Sequence, residues 1–355
     1  MVKSFLRNRY RTAAAVCATM LFCSMAGASQ NAGLAGGPLR VSTGAFLTGT
    51  GGAGIAGAEY LISYHNPSLL PLLRERRVSV GAGLRSLGRT ESWASFDFRV
   101  PPRMGMGVSF LYRGDPFLNG MYDGYYEQGT VVEEQPLDNM GYGLFNIKIG
   151  AGYLVSKRLT MGASVAVVHQ SLPALPLGDG KVENATSTSI GAIDLAATYK
   201  ISKKLTLAAV MKNLGGHDSW DFNTEAQGVA PVLVLAGSYQ GKFKGRELIW
   251  NIDMSNYLVD GEWKLLDHPE MVIATGVQWN FRDDLFLRLG IGDLELSSEL
   301  YRRSDDYFST FSPRLTTGFT YDMSKIRPGM RFNYALATDR VWAGIDQQFD
   351  LTIAF

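Results

Sequence analysis

The chain has 355 residues, 46% of them apolar, a formal net charge of +1 and two cysteines. Both cysteines, Cys17 and Cys23, lie in the first 28 residues, so the remainder has no means to form a disulfide, a thiolate metal site or a cysteine nucleophile. The near-neutral charge gives no basis for a nucleic-acid partner.

The first 28 residues read as a secretory signal peptide. Lys3, Arg7, Arg9 and Arg11 form a basic start, residues 12–25 an apolar middle, and Ala26-Gly27-Ala28 a small-residue cleavage site. Phe22 before Cys23 argues against a lipoprotein, where a small residue is usual. Loss of four bases and no acids takes the net charge from +1 to −3.

Residues 29–76 are rich in Gly and Ala, with apolar patches, and too apolar for a disordered linker. They contain GTGGAG at 49–54, which fits the glycine pattern of a dinucleotide-binding turn. That reading needs a strand before it, a helix after it and an acid about 20 residues on. RVSTGAFL is a poor buried strand, and Asn66-Pro67 stops any helix begun at Ile55. The strand after that, VSVGAGLRSL, ends without the acid, so the run reads instead as a tightly packed elbow. Residues 55–64 are expected to form one short helix.

From residue 77 the apolar period is two almost everywhere. In GLFNIKIGAGYL, Phe145, Ile147, Ile149, Ala151 and Tyr153 share one face; Asn146, Lys148, Gly150 and Gly152 share the other. Fourteen such runs are expected, at 77–87, 91–100, 104–113, 143–154, 159–170, 187–200, 204–213, 231–240, 246–255, 271–281, 285–292, 313–322, 329–337 and 346–355. A tilted membrane strand needs about 9–11 residues. The connections alternate short (VPPR, VSKR, ISKK, RDD) and long (114–142, 171–186, 214–230, 256–270, 293–312), apart from short hairpins near Gly88 and Ala343. Short inner turns and long outer loops mark an outer-membrane barrel. Mean hydropathy is only −0.01 because lipid-facing and lumen-facing residues average out. The expected fold is therefore all-β: a transmembrane antiparallel barrel of about 14 strands over 77–355, with a hatch over 29–76. Gly150, Gly152, Ala274, Gly276 and Gly290, with Lys148, Asp253, Gln278, Arg288 and Asp350, are expected on the lumen side.

A Gly/Ala run followed by an Asn-Pro-small triplet and an apolar pair resembles the N-terminal hatch of the FadL superfamily. The matching residues are Gly44-Ala45-Phe46, Gly51-Gly52-Ala53-Gly54 and Asn66-Pro67-Ser68-Leu69-Leu70, with Ser68 where the family usually has Ala. That superfamily includes fatty-acid transporters and PorV/PorQ-type barrels. The resemblance implies a hatch-gated outer-membrane channel for hydrophobic, long-chain fatty-acid-like compounds. The alternative it offers is a PorV/PorQ-like accessory or shuttle protein of a secretion system. The terminal FDLTIAF, ending on Phe355, resembles the signal read by the barrel-assembly machinery.

Candidate ligand contacts are Phe46, Gly51, Gly52, Gly54, Asn66, Pro67 and Ser68 in the hatch. Phe117, Tyr122 and Tyr125 in loop 114–142, and Tyr307 and Phe308 in loop 293–312, join them as groove-lining aromatics. Arg302 and Arg303 are candidates for lipopolysaccharide phosphates. His65, His169, His217 and His268 are scattered without metal-ligand spacing, Ser164 and His169 fall on opposite strand faces, and no G-x-S-x-G occurs. Neither enzyme activity, a metal nor a cofactor is expected. The expected partners are outer-membrane lipid, lipopolysaccharide, hydrophobic small molecules and the assembly machinery, with secretion proteins under the alternative and no nucleic acid. The expected place is the bacterial outer membrane.

Overall fold

The computed structural model describes residues 39, 41–114, 123–127, 130–135, 143–171, 175–176, 182–183, 186–215, 217–220, 231–257, 270–295, 313–338 and 344–355. The expected signal peptide, residues 1–28, lies outside them.

The described residues form fourteen barrel strands, each antiparallel to the next. They are β1 (Arg77–Leu84), β2 (Thr90–Val100), β3 (Met104–Gly114), β4 (Gly143–Leu154), β5 (Leu159–Ser171), β6 (Thr186–Lys200) and β7 (Leu205–Leu214). The second half comprises β8 (Val232–Phe243), β9 (Arg246–Tyr257), β10 (Glu270–Arg282), β11 (Leu285–Glu295), β12 (Arg314–Asp322), β13 (Met330–Thr338) and β14 (Ile345–Ala354). The ring closes where β14 pairs β1, in register from Arg77↔Ala354 to Leu84↔Gln347. A short strand, His217–Trp220, prolongs the wall beside β6. Among the described residues, closure gives each of the fourteen strands a partner on both sides, as a sheet in hydrocarbon requires.

Alternation decides which way each side chain faces. Along β4, Leu144, Asn146, Lys148 and Gly150 are buried in the lumen, while Ile147, Ile149 and Tyr153 point outward. The outer face carries large apolar side chains: Leu289 is 61% exposed, Ile149 58% and Val165 53%. Such a belt is unfavourable in water and at home in lipid. No helix among the described residues is long and apolar enough to cross a membrane; the strands cross it.

The core sits inside the ring. Residues 41–76 run through the lumen as short pieces: α1 (Ala45–Gly49), a 3-10 turn at Ile55–Gly57, α2 (Ile62–His65) and a 3-10 turn at Pro67–Leu72. They touch strands on every side of the ring, from β2 through β8 and from β11 through β14. Sequence pattern had suggested a single helix over 55–64; the structure has two separate turns instead. The break has a physical cause. Leu61 takes the left-handed conformation (φ 49°), and the Asp97 carboxylate caps a fresh helix start at Ile62 and Ser63.

Candidate functional site

A segment of short turns inside a barrel leaves many backbone N–H groups without helical partners. Wall carboxylates supply them. The Ala45 N–H donates to Asp350 Oδ2 at 2.9 Å. The N–H groups of Gly54 and Ile55 donate to Asp253 Oδ2 at 2.9 and 3.0 Å. Those of Ile62 and Ser63 donate to Asp97, both at 3.2 Å. The three carboxylates come from β14, β9 and β2, so the segment is clamped from three directions.

The Asn-Pro-Ser triplet makes a fourth attachment. Asn66 Nδ2 donates to Ile55 O at 3.1 Å and to Thr198 Oγ1 of β6 at 3.0 Å. Asn66 Oδ1 accepts from the Ser68 N–H at 3.2 Å and the Ser68 hydroxyl at 2.6 Å, capping the Pro67–Leu72 turn. Ser68 Oγ also reaches Thr198 Oγ1 at 2.7 Å. The hydroxyl, where an alanine would be silent, thus ties the segment to the wall.

Glycines set how close wall and segment come. A Cβ on Gly290 would lie 2.2 Å from the Thr50 carbonyl carbon, and one on Gly276 2.4 Å from Thr50 O. Gly276 and Gly290 are register partners on β10 and β11, so they form one pit that receives residues 50–51. Gly51, at φ 75°, lies against the Ile291 backbone. The glycine run is a backbone-on-backbone seat.

On the long-loop side of the segment, the inner wall carries two apolar patches. Trp93, Leu111, Leu144 and Val168 face the lumen on β2 to β5 and pack with Leu61 and Tyr64. Ala208, Val210, Val232 and Val234 do so on β7 and β8, packing with Phe46, Leu47 and Ile55. A cleft of about 100 Å³ lies between the segment and β7 to β12. Its apolar lining includes Leu39, Val41, Leu47, Ile55, Val232 and Val272. Lys212, His65, Asp253 and Arg314 supply its charged and polar edge. Arg314 is paired with Asp346 at 3.0 Å. Lys212 makes no ion pair or hydrogen bond among the described residues; its ammonium lies 5.9 Å from the centre of the Tyr64 ring. His65 Nε2 lies 3.0 Å from Thr43 O, and burial, reinforced by the Lys212 charge, holds its pKa well below the usual value. It is therefore neutral at physiological pH, which leaves Lys212 as the unpaired cation of the cleft.

The residues singled out from sequence separate into groups. Gly51 and Gly52 line the cleft. Phe46 lies behind it, 5.5 Å from Tyr60 and 4.6 Å from the Arg288 guanidinium. Gly54, Asn66, Pro67 and Ser68 hold the segment to the wall. Phe117, Tyr122, Tyr307 and Phe308, with Arg302 and Arg303, lie outside the described residues, and Tyr125 sits on a short ribbon whose side chains are not described. Lys212 was not singled out. Its signal was present: in LTLAAVMKNL it occupies the same face as Ala208 and Val210.

Asp253→Ala removes the acceptor of two buried N–H groups, at about 1–3 kcal/mol each. The expected outcome is a loosened segment and raised ion conductance in planar bilayers, with the barrel still migrating as a heat-modifiable band. Asp253→Asn, keeping one carbonyl acceptor, should fall between the two. Wild-type conductance in the alanine variant would rule out a clamping role.

No family model and no curated protein matches the sequence. Solved structures do match in three dimensions. The toluene transporter TbuX of Ralstonia pickettii aligns at TM-score 0.54 and 16% identity, over 88% of this chain and 97% of that one. The Pseudomonas putida toluene transporter TodX aligns at 0.53 and 15%, over 88% and 96%. The fold is that of the FadL-type outer-membrane barrels. A Pseudomonas aeruginosa FadL homologue carries it as well, at TM-score 0.53 and 10% identity, over 88% and 98%. TbuX and TodX are described as toluene transporters. At such identities the FadL-type fold is common to all, while the residues lining the cleft are this chain's own.

Proposed function

We propose that the protein is a bacterial outer-membrane channel for hydrophobic compounds, gated by residues 29–76 acting as a hatch. One observation carries this reading: on the long-loop side of the segment, beside the charged seam of Arg85, Glu91, Arg113, Arg314 and Asp346, the lumen wall carries continuous apolar patches on β2 to β5 and on β7 and β8. A water-filled porin keeps polar side chains there. Trp93, Leu111, Leu144, Val210, Val232 and Val234 instead offer a dry surface that leads down to a cleft. The solved neighbours described as toluene transporters support the same substrate chemistry. The lone ammonium of Lys212 extends it: an apolar body with an acidic head, such as a fatty acid, satisfies the wall and the cation together.

The test is uptake by a deletion strain complemented with wild type or Lys212→Met, offered a long-chain fatty acid and a neutral aromatic hydrocarbon. Wild type should restore uptake. A charge-assisted contact is worth about 1.5–3 kcal/mol, so Lys212→Met should weaken fatty-acid uptake at limiting concentration roughly tenfold and spare the hydrocarbon. Equal loss for both would remove the headgroup role, and no restoration by wild type would sink the channel reading. Copurification with large secretion components would favour the PorV/PorQ-like accessory role instead.

A further inference from the structure

We propose that the short-turn rim of the barrel is a ring-shaped binding surface for anionic glycerophospholipid headgroups. The inference takes the short turns to face the inner leaflet, the arrangement usual in outer-membrane barrels. Residues 74–77, 99–103, 155–158, 200–204, 242–247, 282–284 and 322–331 together hold seventeen Lys and Arg against five Asp and Glu. The rim carries +12 in a chain of net +1, leaving −11 for the rest.

Little of this charge is used internally. Arg246 pairs with Asp283 at 3.1 Å, Arg282 with Asp284 at 3.3 Å and Arg331 with Asp322 at 3.5 Å, which consumes three of the five acids; Arg331 also reaches Glu59 at 3.0 Å. Lys157, Arg158, Lys203, Lys204, Lys242 and Lys244 are exposed and make no ion pair among the described residues.

Two features favour lipid over a protein or a polymer. The first is distribution. Six of the seven turn or terminus positions around the ring are net positive, and only the β10–β11 turn is not. A docked protein would need one face; an annulus of headgroups meets every turn at the same depth. The second is what lies beside the cations. Tyr153, Tyr199, Tyr239 and Phe281 are each 43–46% exposed on the outer wall, one to a few residues before the turns. Outward aromatics mark the headgroup–acyl boundary. At roughly 3.4 Å per strand residue, the cations beyond them lie at phosphate depth.

The probe is native mass spectrometry of the intact protein in mild detergent, with phosphatidylglycerol or phosphatidylethanolamine added. A variant with the six unpaired cations replaced by glutamine is compared with one carrying Arg for each Lys and Lys for Arg158. A basic side chain near an anionic surface gains about 1 kcal/mol, so wild type should retain phosphatidylglycerol about fivefold better than phosphatidylethanolamine. The glutamine variant should lose that preference while remaining heat-modifiable, and the charge-conserving variant should keep it. Equal retention of the two lipids by wild type, or an undiminished preference in the glutamine variant, overturns the proposal. So does a glutamine variant that keeps its lipid preference but no longer sediments with peptidoglycan, since the rim would then serve an anionic polymer. None of these readouts depends on transport, so failure of the channel reading would leave them interpretable.

Discussion

Replacing Gly290 by valine is expected to unseat the lumen segment while the fourteen-strand ring stays closed. The new Cβ would lie 2.2 Å from the Thr50 carbonyl carbon and 2.3 Å from the Gly51 nitrogen. Both are backbone atoms and neither can rotate away. The register partner Gly276 closes the other side of the pit, so residues 50–51 have no sideways escape. Overpacking typically costs about 1–3 kcal/mol, and an obstruction built of backbone belongs at the upper end. The readout is a rise in conductance with a heat-modifiable barrel retained. Gly52→Ala is the control: its Cβ would find its nearest neighbours at 3.7 and 3.9 Å, so only the φ of 95° opposes it. That strain is local, about 1–2 kcal/mol. Native conductance in Gly290→Val would show that the segment does not rest on that pit.

Glu91→Ala should produce the largest loss of stability. Glu91 is 2% exposed and holds two guanidiniums, Arg85 at 2.8 Å and Arg113 at 2.9 Å, and it also accepts from Gln348. Arg85 continues to Asp346 at 3.0 Å, which Arg314 also reaches. These groups lie on or beside β1, β2, β3, β12 and β14, and so staple the seam where the two ends of the sheet meet. Removing the carboxylate leaves two buried cations sharing no counter-ion at that point. Breaking a buried ion pair costs about 3–5 kcal/mol. The expected result is a marked drop in the temperature of the heat-modifiable transition; Glu91→Gln, which preserves shape but not charge, should recover little of it. A transition within about a degree of wild type would mean that the seam is held by its ladder alone.

Much of the wall was legible because a barrel in lipid imposes one rule on every strand. Outward positions meet hydrocarbon and inward positions do not, so Ile147 and Ile149 against Lys148 and Gly150 fixed orientation without knowledge of any neighbour. Strand ends also followed, since turn residues such as VSKR cannot continue the alternation. The lumen segment was less readable. Its conformation is dictated by acceptors that arrive from far along the chain: Asp97, Asp253 and Asp350 lie 35, 198 and 305 residues from the N–H groups they cap. Nothing local in residues 55–64 announces that a helix will stop and restart. The cleft was harder still. Lys212 breaks an apolar inner face by one residue, and only the juxtaposition of β7 with Tyr64 shows that its charge lacks a partner. Gly276 and Gly290 looked like ordinary lumen glycines; their common purpose depends on cross-strand register.

The clamp also orders events in time. Asp97 lies on the second strand to be made and Asp350 on the last, and both grip the same thirty-odd residues near the start of the chain. While the ring is open, the segment can find the first acceptor but never the full set. Its seat forms when β10 pairs β11, but its third carboxylate and the seam staple are complete only when β14 meets β1. A barrel truncated before its final strand would therefore lack more than a strip of wall: it would lose one of the three carboxylate clamps together with the Asp346 and Gln348 ends of the seam staple.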